Sequence, residues 1–195
     1  MSGLQISKAT SYTLGMRILF RFIKFVNELS MREDGSIYRR VANWLQPKTP
    51  VKSTPTQGVY TKDFIVNTRT GVWVRLFVPV AGSNLPEELE PRFPIIFYFH
   101  GAGFSSLSPD FVLYDTFCRR LVRKSRVIVI SVGYRRSPEH RYPIPCDDCF
   151  DAIAWFSSGG SGRSQLPGNA DLCCCFLMGD SAGGNIVHHV GCQVN

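Results

Sequence analysis

The stretch that decides the fold is the apolar run Leu172-Cys-Cys-Cys-Phe-Leu-Met178, followed directly by Gly179-Asp-Ser-Ala-Gly183. The second part fits the pattern G-x-S-x-G, in which a serine sits on a sharp turn between a buried strand and a helix. Glycines flank the serine because a side chain at either position would collide with the neighbouring strand or helix. The pentapeptide alone is a weak signal, but a helical stretch at 185–192 completes the strand, turn and helix. Ser181 is therefore the candidate nucleophile.

Two further apolar runs precede this one, at 95–99 and 127–132, and both are typical of strands covered on two faces. Helices are predicted between the strands. The first spans 109–124, with Ser108 as its N-cap and a proline in the first turn, and the second spans 146–157. Buried strands that alternate with helices predict a parallel sheet with helices on both sides, an α/β fold.

A hairpin is predicted upstream of this sheet. Polar and apolar residues roughly alternate at 59–66 and again at 72–78, and the turn residues 67–71 separate the two runs. The pattern favours two antiparallel strands.

The N-terminal part of the chain is predicted to form a separate helical unit. Apolar and charged residues mark opposite faces of an amphipathic helix at 11–29, and a shorter helix is expected at 36–45. This unit either packs on the domain or acts as a mobile cap over a pocket. The expected domains are a helical cap and linker at 1–57 and an α/β core at 58–195. The apolar face of the first helix consists of Leu14, Ile18, Phe22, Phe25, Val26 and Leu29.

A second chemical motif, His100-Gly-Ala-Gly-Phe104, directly follows the strand at 95–99. Attack of a serine on an ester carbonyl creates an oxyanion, and each hydrogen-bond donor aimed at it contributes about 2.7 to 4 kcal/mol. A glycine-rich loop brings backbone amides close to a substrate, and the amide at the start of the helix after the serine adds another. The expected oxyanion hole is formed by Gly101, Ala102, Gly103 and Ala182.

Three segments together carry a resemblance to a known family. They are His100-Gly-Ala-Gly-Phe104, Tyr134-Arg-Arg-Ser-Pro-Glu-His-Arg-Tyr-Pro143 with Asp147-Asp148, and Phe176-Leu-Met-Gly-Asp-Ser-Ala-Gly-Gly-Asn-Ile-Val-His-His189. Between about residues 59 and 190 the sequence resembles the plant carboxylesterase branch of the hormone-sensitive-lipase-like α/β hydrolases. The resemblance implies hydrolysis of small carboxylic esters by Ser181 through an acyl-enzyme intermediate, with no metal and no cofactor.

The sequence departs from the family pattern at several positions. Ala102 stands where the family has glycine, so its amide survives but its permitted backbone angles shrink. Gly133, Arg136 and Cys146 also differ, which affects the packing of the loops. Asp147 and Asp148 are interpreted as a helix-capping or ion-paired structural pair.

The acid and base of a serine hydrolase are not found after the nucleophile. In this fold they follow the serine in the chain, yet no acidic residue follows Ser181. His188 and His189 lie seven and eight positions along a helix, a rise of about 10 to 12 Å, which is too far for a general base. The sequence therefore predicts the front half of a hydrolase, with a sheet incomplete at its C-terminal side and weak or no activity alone. The strand at 172–178 would be an edge that offers self-association.

Composition excludes several other classes. The chain has 195 residues and a net charge of +7, with nine basic and three acidic residues before Ser53. The basic segment lacks the interleaved aromatic residues and the zinc-ligand spacing that are typical of nucleic-acid-binding proteins, so nucleic acid is not an expected partner. Charged residues interrupt the most apolar early stretch, so a membrane is not an expected partner either. Seven cysteines form no disulfide framework, which predicts reduced thiols and a cytoplasmic protein.

One alternative to the enzyme stays open at this point. The gibberellin receptors resemble these esterases and use the pocket for recognition, so the expected partner is either a small-molecule ester substrate or a ligand that is bound without hydrolysis.

Overall fold

A computed structural model describes residues 13–80 and 91–193, and the chain divides into two units, 1–45 and 46–195. The first unit contains helix α1, Leu14–Ser30, and helix α2, Arg39–Leu45, close to the predicted bounds. The first residues of the predicted helix at 11–29 lie outside the described residues, as do residues 81–90. Whether the first unit packs on the core or caps it stays a prediction.

The second unit is built on a five-stranded sheet with the order β1-β2-β4-β3-β5. β1 pairs with β2 in the predicted antiparallel hairpin, and β2 also runs antiparallel to β4. β4, β3 and β5 are mutually parallel, as the alternation of strands and helices predicts. The strands are β1 (Val59–Asn67), β2 (Val72–Pro79), β3 (Phe93–Phe99), β4 (Ile128–Gly133) and β5 (Ala170–Gly179).

Helices cover both faces of this sheet. On one face, α3 (Val112–Ser125) buries Cys118 and Val122 against side chains of the strands. On the other face, α4 (Ile144–Ser157) and α5 (Ala182–Gln193) pack against a larger core. The prediction of an α/β fold with helices on both sides is confirmed.

The prediction for the start of α3 is wrong. The helix begins at Val112, after Phe111, and not at the expected cap Ser108. The segment before the helix uses its backbone groups elsewhere, since Asp110 O accepts from Thr49 N at 2.7 Å and Val112 N donates to Pro47 O at 3.0 Å. The Ser108 hydroxyl donates to the Asp110 carboxylate instead of capping a helix.

The segment 46–57 belongs to the second unit, so the division falls before the predicted boundary at 57. Besides the bond from Thr49 to Asp110, Thr61 N donates to Lys52 O and Lys52 N donates to the Thr61 hydroxyl, both at 2.8 Å. These bonds attach the segment along β1.

β5 lies at one end of the described sheet and is only half covered. Its residues alternate between partly buried and exposed, and Phe176 is 54% exposed. All seven cysteines are free thiols in the structure. Cys146 and Cys149 have the spacing C-x-x-C. Burial raises the pKa of Cys146 and, to a greater extent, of Cys149, so neither thiol is activated.

Candidate active site

Ser181 occupies a sharp turn between β5, which ends at Gly179, and α5, which begins at Ala182. Its φ is +50°, in the left-handed region that L residues rarely adopt, and its side chain is exposed. A Cβ at Gly179 would overlap the backbone of Gly183, and a Cβ at Gly183 would overlap the carbonyl of Phe99. The collisions expected from the motif are therefore present, one with the helix and one with the neighbouring strand.

The loop after β3 leaves the sheet beside this turn. β3 and β5 are parallel neighbours, and Phe99 is the register partner of Gly179. Gly101 N lies 3.0 Å from Asp180 Oδ1, one residue before the serine. The glycine-rich loop and the serine turn are therefore in direct contact.

Asp180 joins the turn to the loop through several hydrogen bonds. Its Oδ1 accepts from Tyr98 OH at 2.7 Å as well as from Gly101 N, and its Oδ2 accepts from Tyr114 OH at 3.1 Å. Burial and the bond to Asp180 raise the pKa of Tyr98, and burial and the nearby Asp180 charge raise that of Tyr114, so both hydroxyls stay protonated donors. The sequence did not predict this network. The signal that could have indicated it is Tyr98, whose hydroxyl lies within the otherwise apolar run 95–99.

This network corrects one part of the expected oxyanion hole. The single N–H of Gly101 is directed at Asp180 Oδ1 and the Tyr114 oxygen, each 3.0 Å away, so it is not free to meet a substrate. The amides of Ala102, Gly103 and Ala182 have no acceptor within the described part of the chain. Ala182 contributes one of the unbonded N–H groups at the start of α5.

The loop contains three consecutive residues in the left-handed backbone conformation. Ala102, Gly103 and Phe104 have φ of +71°, +62° and +59°. Glycine adopts this conformation without steric cost, whereas Ala102 carries a methyl group there and is strained. The loop therefore carries backbone strain at Ala102.

His100 supports the loop from inside the protein. It is completely buried, its ring stacks on Tyr134 with centroids 4.3 Å apart, and its Nδ1 donates to Gly101 O at 3.1 Å. Tyr134 OH donates to His100 O at 2.6 Å. Burial lowers the pKa of His100 to about 4, because a second proton on Nε2 would have no partner among the described residues. His100 is thus a neutral structural group that supports the loop.

The other histidines do not reach Ser181. Its Oγ has no hydrogen-bond partner within residues 13–80 and 91–193. His189 contacts Tyr142, with Nε2 3.4 Å from the phenol oxygen, and His188 is exposed on α5. The structure therefore holds a serine turn and a candidate oxyanion loop, without a general base at the serine in the described part.

A small depression lies beside the first turn of α5. It measures about 130 Å³ and is lined by Phe104, Ser137, Tyr142, Pro145, Cys146 and Asn185. Asn185 is one helical turn from the serine, since its N donates to Ser181 O at 3.2 Å. The depression is adjacent to the candidate oxyanion loop through Phe104.

Asp148 is an ion-paired structural group, as expected. It is buried and holds the guanidinium of Arg135 at 2.7 Å while it also accepts from Arg135 N at 2.9 Å. Asp147 is exposed in the first turn of α4. In the described residues, His, Cys, Asp and Glu side chains form no cluster of three that could hold a metal ion.

Comparisons with known proteins agree with this fold. Residues 96–195 match the family described as having the alpha/beta hydrolase fold. The chain is 35% identical over 192 residues to gibberellin receptor GID1C of Arabidopsis thaliana, a match that covers 95% of this chain and 55% of the receptor. It is 34% identical over 172 residues to carboxylesterase 20 of the same plant, covering 88% of this chain and 51% of the relative.

A solved esterase has the same fold. The esterase of Pyrobaculum calidifontis superimposes with a TM-score of 0.57 at 26% identity, covering 92% of this chain and 47% of the esterase. The chain spans about half the length of the curated relatives it matches. Among the described helices, none has the length and apolar character needed to cross a bilayer.

Proposed function

The chain belongs to the α/β-hydrolase family, in the branch of the plant carboxylesterases and gibberellin receptors, and we propose that it carries the nucleophile of a carboxylic-ester hydrolase. The observation that supports this most directly is the 3.0 Å contact between Gly101 N and Asp180 Oδ1. We infer that this contact fixes the loop so that the amides of Ala102 and Gly103 serve the exposed hydroxyl of Ser181.

In the proposed reaction, the Ser181 oxygen attacks the ester carbonyl carbon and loses its proton to a general base. The carbonyl oxygen gains the negative charge and is stabilised by the N–H groups of Ala102, Gly103 and Ala182. The tetrahedral intermediate then expels the alcohol, which takes up the proton, and leaves an acyl group on Ser181. Attack by water on this ester releases the carboxylic acid and restores the serine.

Asp180 acts in this proposal as a positioning residue. Its carboxylate binds Gly101 N, so it fixes the loop that presents the next two amides. Asp180 also directly precedes Ser181 in the chain. Because its side chain binds the loop, a movement of the serine turn would also move the loop.

The described chain supplies no base to this reaction, and we expect it to hydrolyse esters very slowly by itself. An unassisted serine hydroxyl is a weak nucleophile at neutral pH. His100 cannot replace the base because it is completely buried and its Nδ1 contacts Gly101 and Tyr134.

The test is to join this chain to the C-terminal half of carboxylesterase 20 and to measure hydrolysis of p-nitrophenyl acetate. Turnover that is abolished by Ser181→Ala, but retained by the exposed control Ser157→Ala, supports the proposal. A fusion that folds but leaves Ser181 unlabelled by a fluorophosphonate probe would overturn it.

A second candidate function is binding of a small ligand without hydrolysis. It is favoured by the 35% identity to gibberellin receptor GID1C, which extends over 95% of this chain. The two functions can be distinguished by joining this chain to the C-terminal half of that receptor. Saturable binding of a gibberellin, with no probe labelling of Ser181, favours the receptor function, and ester turnover favours the enzyme.

A further inference from the structure

A groove of about 550 Å³ lies between α3 and the segment 49–57, on the face of the sheet opposite α4 and α5. One wall is the helical face of α3 that begins at Val112, and the other is formed by Thr49, Lys52, Thr56 and Gln57. Its volume is in the range of cavities that hold small ligands. None of these lining residues contacts the serine turn, and the proposed function does not use the groove.

The lining is strongly basic. Five cationic side chains face one carboxylate, that of Asp115, and the cations are Lys52, Arg119, Arg120, Arg123 and Lys124. Four of them lie on α3 at positions 119, 120, 123 and 124, a spacing that places them along one side of a helix. The groove therefore concentrates positive charge within a concave surface, which strengthens its attraction for an anion.

The charges at the floor of the groove are already balanced. Asp115 is 3% exposed, and its two oxygens accept from Arg119 Nε at 2.7 Å and from Arg75 Nη1 at 3.3 Å. Arg75 also donates twice to Asp63, with both distances 2.8 Å. Two guanidinium groups and two carboxylates thus form a neutral cluster beneath the groove.

The cations at the rim have no such balance. Arg123 donates to the neutral Gln57 side chain at 2.7 Å, and within the described ranges no carboxylate pairs with Lys52, Arg120, Arg123 or Lys124. Arg123 and Lys124 lie in the last turn of α3, where a cation interacts favourably with the helix dipole. That effect does not account for Arg120 or for Lys52, which lies on the opposite wall.

We propose that this groove binds a ligand carrying two or more phosphate groups. Four unpaired cations around one cavity repel one another, and a single carboxylate would neutralise only one of them. Phosphates accept the bidentate bonds that arginine offers, and lysine serves as a second point charge. The hydroxyls of Thr49 and Thr56 on the other wall are further donors.

Such phosphates could be those of a soluble polyphosphate ester or of a lipid headgroup. The lipid source is considered because a second depression of about 200 Å³ lies next to the groove. It shares Arg120 and Lys124 with the groove and adds the apolar side chains of Phe117 and Leu121. The two sources are separated by titrating the 195-residue chain with inositol hexakisphosphate and, in parallel, with phosphatidylcholine vesicles containing phosphatidylinositol bisphosphate. Vesicles of phosphatidylcholine alone are the blank.

The expected result is saturable binding of at least one phosphate probe, weakened several-fold when NaCl is raised from about 50 to about 200 mM. The double variant Arg120→Gln/Lys124→Gln should weaken binding about tenfold. The double variant Arg69→Gln/Arg163→Gln removes the same charge from exposed positions elsewhere and should not change it.

Binding of neither phosphate probe would overturn the proposal, and so would equal weakening by the two double variants. Binding that persists in Ser181→Ala shows that the groove acts independently of the proposed hydrolase site, so that failure of one proposal does not imply failure of the other.

Discussion

Asp180 and Gly101 are 79 positions apart in the chain, yet the carboxylate of one accepts the backbone N–H of the other at 3.0 Å. Gly101 permits this approach because it has no side chain, since a Cβ there would overlap the Asp180 carboxylate. The serine turn and the candidate oxyanion loop are therefore one hydrogen-bonded unit.

Removing the Asp180 carboxylate should destabilise this unit. In Asp180→Ala, Tyr98 OH and Gly101 N–H lose a charged acceptor in partly buried hydrogen bonds, and we expect the free energy of unfolding to fall by about 2 kcal/mol. Asp180→Asn keeps one acceptor oxygen and should cost about 1 kcal/mol. Urea unfolding measures both, with the exposed Asp151→Ala as control. Equal effects of Asp180→Ala and Asp151→Ala would contradict the assigned role.

Replacing the strained alanine of the loop should stabilise the protein. Because Ala102 has a φ of +71°, Ala102→Gly should raise the free energy of unfolding by about 1 kcal/mol. The matched control Ala154→Gly, on the exposed side of α4, should lower it by about 0.5 to 1 kcal/mol. The two alanines then respond with opposite signs in thermal unfolding, and a loss of stability at both positions would disprove the strain.

The glycines after the serine should differ sharply in their tolerance of a methyl group. Gly183→Ala forces a Cβ into the carbonyl of Phe99 and should destabilise the turn by about 3 kcal/mol or more. At Gly184 the nearest atom to a new Cβ is 3.6 Å away, an ordinary contact, so Gly184→Ala should be neutral or slightly stabilising. Melting temperatures of the two variants compare them directly, and similar values would show that the turn is not as tight as described.

The free energy of unfolding should decrease as the pH is lowered from about 6.5 towards about 4, because of His100. Its pKa is lowered by burial from 6.5 to about 4 in the folded chain, so the unfolded chain binds a proton first as the pH falls. The stabilisation is complete above about pH 6.5 and is lost towards pH 4, by at most about 3 kcal/mol.

This dependence is measured as the free energy of unfolding between pH 7 and pH 5, where few carboxylates titrate. His100→Asn keeps a donor for Gly101 O but does not titrate, so the slope should be reduced, whereas the exposed control His188→Asn should leave it unchanged. A slope that survives in His100→Asn would place its origin in another group.

The sequence by itself determined the elements and the tight serine turn. Apolar runs and helical spacing are local properties, and so the strands at 95–99, 127–132 and 172–178 could be predicted with nearly their observed bounds. The need for glycine at 179 is likewise local, because a Cβ there would overlap the backbone of Gly183, whereas at 183 the obstacle is the carbonyl of Phe99 on the neighbouring strand. The candidate nucleophile and the oxyanion loop followed from the same motifs.

Only the tertiary structure decided how those parts share their hydrogen bonds. The Gly101 amide was expected to face a substrate, but the fold brings Asp180 to it, and the start of α3 shifted because Pro47 and Thr49 bind the preceding segment. Likewise, the basic side chains of α3 line a groove only because the segment 49–57 forms its other wall. Contacts between residues distant in the chain depend on the packing of the sheet, and no local pattern in the sequence records them.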